Sequence, residues 1–101
     1  MRPVPLSTLA VIAAWALPAF AQSPDTARDF AATCANCHGT NGVSRGGIES
    51  LAGKSKTELA AKLQEFKQGK RPGTIMPQLA RGFSDAQIES VAAWFAAQPS
   101  K

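Results

Sequence analysis

A chain of 101 residues allows one small domain and no more. Its formal charge of +4 comes from eleven basic and seven acidic side chains scattered along the sequence, which is compatible with an acidic partner but supplies no concentrated basic face for nucleic acid. Two cysteines and one histidine fall short of the four ligands of a structural zinc unless carboxylates or a second chain complete the set.

The N-terminus reads as an address. Arg2 is followed by a run from Leu6 to Phe20 that is apolar apart from Ser7 and Thr8, and Ala19-Phe20-Ala21 is a small-x-small cleavage site before Gln22. The run is short for a membrane span and is broken by Pro18. Residues 1–21 are therefore expected to be a signal peptide and residues 22–101 the folded domain, exported to the periplasm with no stable membrane insertion after cleavage. An uncleaved anchor is the alternative. Roughly 80 residues with no tyrosine make a thin core, and chains of this size commonly need a staple.

Ser23-Pro24-Asp25 predicts the start of a first helix, with a serine N-cap, proline at the first helical position and an acid in the first turn. Ala27, Phe30, Ala31 and Cys34 follow at i, i+3, i+4 and i+7, an apolar face that runs into Cys34-Ala35-Asn36-Cys37-His38. On a helical turn, Cys34 and Cys37 share a face and His38 lies four residues beyond Cys34. Two thiols so placed can add to the two vinyl groups of one porphyrin edge while the imidazole reaches the iron. The pattern is the attachment motif of c-type haem, here one covalent haem. A redox dithiol, half a zinc site and a small disulfide are the other readings of such a pair. A porphyrin would also supply the apolar volume that the core lacks, and export suits chemistry completed outside the cytoplasm.

Residues 39–54 contain Gly39, Gly42, Gly46, Gly47 and Gly53 and are expected to form a loop, either approaching the porphyrin edge or simply flexible. Ser55-Lys56-Thr57-Glu58 is a capping box opening a helix whose inner face is Leu59, Leu63 and Phe66 and which Gly69 ends. Pro77 biases Met76 toward an extended conformation, so that Met76 is expected to present its thioether from a loop. Such a methionine is either core filler or, given the haem motif, a second axial ligand soft enough to raise the reduction potential. Ser84-Asp85-Ala86-Gln87 is a further capping box, with Phe83 and Ile88 as a hydrophobic staple. It opens a last helix faced by Ile88, Val91, Ala92 and Phe95 and flanked by Trp94, which Pro99 stops. No strand is expected, so the fold class is all-α. Lys67, Lys70, Arg71 and Arg81 flank the methionine and predict a local positive cluster for docking.

These residues resemble those of the class I c-type cytochromes over the whole of 22–101. The family's motif matches Cys34, Cys37 and His38, and its distal methionine matches Met76. The run Phe66-Lys67-Gln68-Gly69, Thr74-Ile75-Met76, Ala80-Arg81-Gly82-Phe83-Ser84 and Trp94-Phe95 is similar to the small cytochrome subunit of flavocytochrome c sulfide dehydrogenase. The resemblance implies three main helices with loops wrapped around one haem, His38 and Met76 as axial iron ligands, and one-electron transfer with no enzyme activity of its own. It further implies a flavoprotein partner that oxidises sulfide. A free periplasmic shuttle to a terminal oxidase or reductase is the alternative. Relatives often orient the proximal histidine through a proline carbonyl. Gly46, Gly47 and Ile48 stand at the nearest positions here, and the sequence names no substitute.

Overall fold

The computed structural model describes residue 3 and residues 24–100; the Ser23 cap and the rest of the 1–21 segment lie outside the described residues. The described chain is all helix and loop: α1 (Pro24–His38), a 3-10 turn (Thr40–Gly42), α2 (Lys56–Lys67), α3 (Met76–Arg81) and α4 (Asp85–Ala96), with no strand. Three longer helices and the class all-α agree with the sequence. The short helix α3 was not expected.

The core forms where α4 crosses α1 and α2. Ala31 from α1, Leu59 and Ala60 from α2, and Ile88, Val91, Ala92 and Phe95 from α4 are buried together, with Phe30, Cys34, Leu51, Leu63, Phe83 and Trp94 packed around them. The apolar stripes read at helical spacing are thus the faces that meet. Alanine is frequent in the contact, which brings the helices close but buries little side-chain volume. Phe30 meets Phe83 edge to face, with centroids 5.8 Å apart, tying α1 to the joint between α3 and α4.

Helix ends follow local chemistry. Ser84 Oγ accepts from Gln87 N–H while the Gln87 side chain returns to Ser84 N–H, so the box at α4 is complete. At α2 only half forms: Ser55 Oγ accepts from Glu58 N–H at 3.0 Å, but the Glu58 carboxylate turns along the helix to Lys62 at 3.3 Å. Beyond α2 the N–H groups of Gly69 and Lys70 donate to the carbonyls of Phe66 and Glu65, a Schellman closure that ends the helix where glycine was expected to end it.

Met76 does not sit in an extended loop. It is the first residue of α3, with Ile75 as N-cap at φ −112°, ψ −32°, and the Ile75 carbonyl accepts from Gln78 and Leu79. Two effects of proline compete here. Pro77 disfavours helical dihedrals at the preceding residue, but its fixed φ and missing N–H suit the first turn, and initiation wins.

Candidate functional site

The last turn of α1 gathers Cys34, Cys37 and His38, as the spacing required. Both thiols are free; Cys34 is half-buried against the core and Cys37 is exposed. Burial pushes the Cys34 thiol up, partly offset by a hydrogen bond with Thr33. Immediately after His38 the chain reverses. Gly39 has φ +88°, and a Cβ there would lie 1.9 Å from the Val43 carbonyl oxygen. Gly42 has φ +80° and rests on the Phe95 ring, where a Cβ would come within 2.7 Å. Two glycines of the loop are therefore required by close backbone packing, whereas Gly46 and Gly47 face open space.

The reversal carries the loop back to His38. The imidazole Nδ1 lies 2.6 Å from the carbonyl oxygen of Glu49. A carbonyl can only accept, so Nδ1 carries the proton and Nε2 presents its lone pair, the tautomer a metal ligand needs. Glu49 supplies the carbonyl for which the sequence offered no proline. Its own carboxylate accepts from Lys54 and, at 2.8 Å, from Lys62 of α2. Hydrogen bonds from Lys54 and then Lys62 pull the Glu49 carboxyl down to about 2. No local pattern announces this arrangement, because Lys62 and His38 are brought to Glu49 from different helices.

The fourth expected donor comes from elsewhere. Met76 is half-buried at the start of α3, and α3 packs on α2. The approach to it is fastened by Arg71, whose guanidinium donates to Glu65 at 2.7 and 2.8 Å and lies over the Phe66 ring at 5.7 Å. The expected positive cluster is smaller than its sequence. Lys67 is paired with Asp85 at 3.0 Å and Arg71 with Glu65, which leaves Lys70 and Arg81 as its members without an ion pair among the described residues. Asp85, distant in sequence, folds back onto the cluster.

A large apolar group fits these residues. Ile48 beside the His38 loop and Ile75 and Leu79 beside Met76 are each about half exposed, at 49%, 55% and 48%. Large aliphatic side chains on the very elements that carry the donors are what a porphyrin would cover. The donor chemistry agrees: two free thiols, an imidazole with Nε2 available, and a thioether. Among the described residues no three of His, Cys, Asp and Glu come together as a metal-holding group. An open cavity of about 640 Å³ borders Cys37, Thr40, Ser44 and Arg45, but neither His38 nor Met76 lines it.

Residues 21–95 match the family described as cytochrome c oxidase, cbb3-type, subunit III. The chain belongs to this cytochrome c family. As a c-type cytochrome it is 40% identical over 63 residues to the cytochrome subunit of sulfide dehydrogenase of Chlorobaculum tepidum, covering 62% of this chain and 57% of that protein. It is 35% identical over 74 residues to cytochrome c-554(548) of Halomonas halodenitrificans, covering 69% of this chain and 89% of that one. A thiosulfate dehydrogenase electron acceptor of Thiomonas intermedia is 37% identical over 70 residues, covering 65% of this chain but 32% of the acceptor. The cytochrome thus spans little more than half of one of these relatives and nearly all of another. The family implies haem c and electron transfer, and among the described residues no helix is long and apolar enough to cross a membrane.

Proposed function

We propose that the cytochrome is a periplasmic monohaem electron carrier, exported by residues 1–21 and folded over 22–101, with Cys34 and Cys37 as thioether tethers and His38 and Met76 as axial ligands. Bound there, haem supplies a one-electron ferric–ferrous couple. The observation that carries this reading is the Nδ1–H bond of His38 to Glu49, which leaves Nε2 free beside two unpaired thiols on one helical turn. Cys34 and Cys37 would tether the group beside the core, His38 would donate through Nε2, and the Met76 thioether would favour the ferrous state. With His38 and Met76 both donating to the iron, no position would be left open for a substrate, and the chain alone would carry electrons without being an enzyme. Mass spectrometry after acid extraction tests the tether. The protein from a host with haem-attachment machinery should retain one haem and begin at Gln22, and a mass equal to the bare polypeptide refutes the reading.

For the partner, we propose a flavoprotein that oxidises sulfide, on the strength of the 40% identity to a sulfide dehydrogenase cytochrome subunit. A second reading, a free shuttle to a terminal oxidase or reductase, draws on the match to 89% of cytochrome c-554(548). Purification from the native periplasm separates them: bound flavin supports the complex, and a flavin-free monomer supports the shuttle.

A further inference from the structure

The carbonyl that orients His38 belongs to a loop with few other restraints. Its neck is closed by the N–H groups of Leu51 and Ala52, which donate to the Gly42 carbonyl at 2.8 and 3.1 Å, and by Ser44 N–H, which donates to Ser50 Oγ at 2.9 Å. Between these points Arg45 to Ile48 are exposed, a Cβ added at Gly46 or Gly47 would meet nothing, and Gly46 is tied only locally, to the hydroxyl of Ser44 at 3.2 Å. The next fastening is the Glu49 side chain. Lys54, from just beyond the loop, and Lys62, from α2, both donate to the same oxygen, Oε1. Lys62 is itself mostly covered, at 27% side-chain exposure, and also reaches Glu58.

One residue is therefore held at both ends: its carboxylate by two ammonium groups, its carbonyl by the His38 ring. Resting on the haem reading above, we propose that Glu49 is the positioning residue of His38, and that Lys54 and Lys62, by gripping its carboxylate, fix the carbonyl that sets how strongly Nε2 donates to the iron. An isolated exposed ion pair does little. Here two cations converge on one oxygen, and the restrained peptide lies in direct contact with a ligand ring. A well-placed acceptor on Nδ1–H polarises the imidazole, raises its basicity and favours the ferric state. Releasing the grip lets the carbonyl drift, weakens that bond and raises the reduction potential.

The test uses the haem-loaded protein with Lys62→Met, Lys62→Arg and Glu58→Gln. Coulomb's law alone predicts that removing the Lys62 charge favours ferric iron and lowers the potential. The clamp predicts the opposite sign, a rise. It also predicts that the His38 Nδ1–H, followed by NMR in the ferrous protein, exchanges with solvent roughly fivefold faster in Lys62→Met, the loss of one ordinary hydrogen bond. Lys62→Arg should keep both values near wild type, and Glu58→Gln, which removes only the other partner of Lys62, should leave the exchange unchanged. Lys54→Met should shift exchange in the same direction and serves if Lys62→Met fails to fold. Unchanged Nδ1–H exchange in haem-loaded Lys62→Met, or a lowered potential there, overturns the clamp while the haem reading stands. A preparation that takes up no haem at His38 overturns both.

Discussion

On the His38 side the restraints run mainly through backbone, with the grip of Lys54 and Lys62 on the Glu49 carboxylate as the chief side-chain fastening. A glycine reversal, two N–H groups on the Gly42 carbonyl and the Glu49 carbonyl on the imidazole place the ring within eleven residues of chain. On the Met76 side they run through side chains: Arg71 on Glu65 and Phe66, Lys67 on Asp85, and a six-residue helix flanked by half-exposed Ile75 and Leu79. Backbone restraints tolerate few substitutions because they depend on dihedrals and close approach. Side-chain restraints on a partly exposed segment are individually weak and can be lost one at a time. The proximal side should therefore behave as a fixed frame and the distal side as the adjustable one.

The largest effect should come from removing Met76, the proposed distal donor. Met76→Ala is expected to lower the reduction potential by on the order of a hundred millivolts, a fraction of the roughly 0.8 V that axial ligands span. It should also abolish the near-infrared charge-transfer band of iron–methionine ligation in the oxidised protein. A band that survives the substitution excludes Met76 and with it the distal half of the comparison.

Next in size is a break in the proximal frame. Gly39→Ala forces a Cβ to within 1.9 Å of the Val43 carbonyl at φ +88°, and should cost about 3 kcal/mol in urea unfolding from backbone strain and the enforced shift. Gly46→Ala, with nothing within 4 Å, should stay within about 0.5 kcal/mol of wild type. Equal losses at the two positions would mean that the loop after His38 is not the rigid element described.

Arg71→Leu probes the distal fastening and should cost about 1 kcal/mol, since it deletes a partly exposed pair and a ring contact. Its telling readout is order of loss: under mild denaturant the near-infrared band should fade before the covalent haem protein unfolds. Simultaneous loss would show that Met76 is held by the core instead.

The smallest effect is electrostatic. Hydrogen bonds from Gln64 and then Lys67 hold the Asp85 carboxyl below its ordinary range. A carboxyl lowered by folding stabilises the protein above its unfolded value and loses that contribution as pH falls toward the folded one. The stability difference between wild type and Asp85→Asn should accordingly shrink as pH drops below the ordinary carboxylate range. A difference that grows on acidification reverses the assignment.

The stripes Ala27–Ala31 and Ile88–Phe95, the cap at Ser84 and the stop at Gly69 were all legible because each depends on neighbours within one or two turns. The start of α3 was misread for a local reason, two opposing proline effects on adjacent residues. Lys67 and Asp85 were misjudged for a distant one, whereas Arg71 pairs with Glu65 only six residues back. The charges were counted along the chain, where Asp85 stands apart, and the fold sets it on Lys67.

What the sequence determined by itself was the all-α class and the Cys34, Cys37, His38 constellation, since helical periodicity and three- and four-residue spacings are properties of a single segment. Membership of the cytochrome c family followed from the same residues and agrees with the match over 21–95. Tertiary structure decided the partner of the histidine. Glu49 lies eleven residues from His38 and thirteen from Lys62, and nothing in a glutamate flanked by Ile48 and Ser50 says that its carbonyl will meet an imidazole. That contact exists because Gly39 and Gly42 fold the loop back and α2 presents Lys62 to meet it, a coincidence of three segments that only packing around one core can bring about.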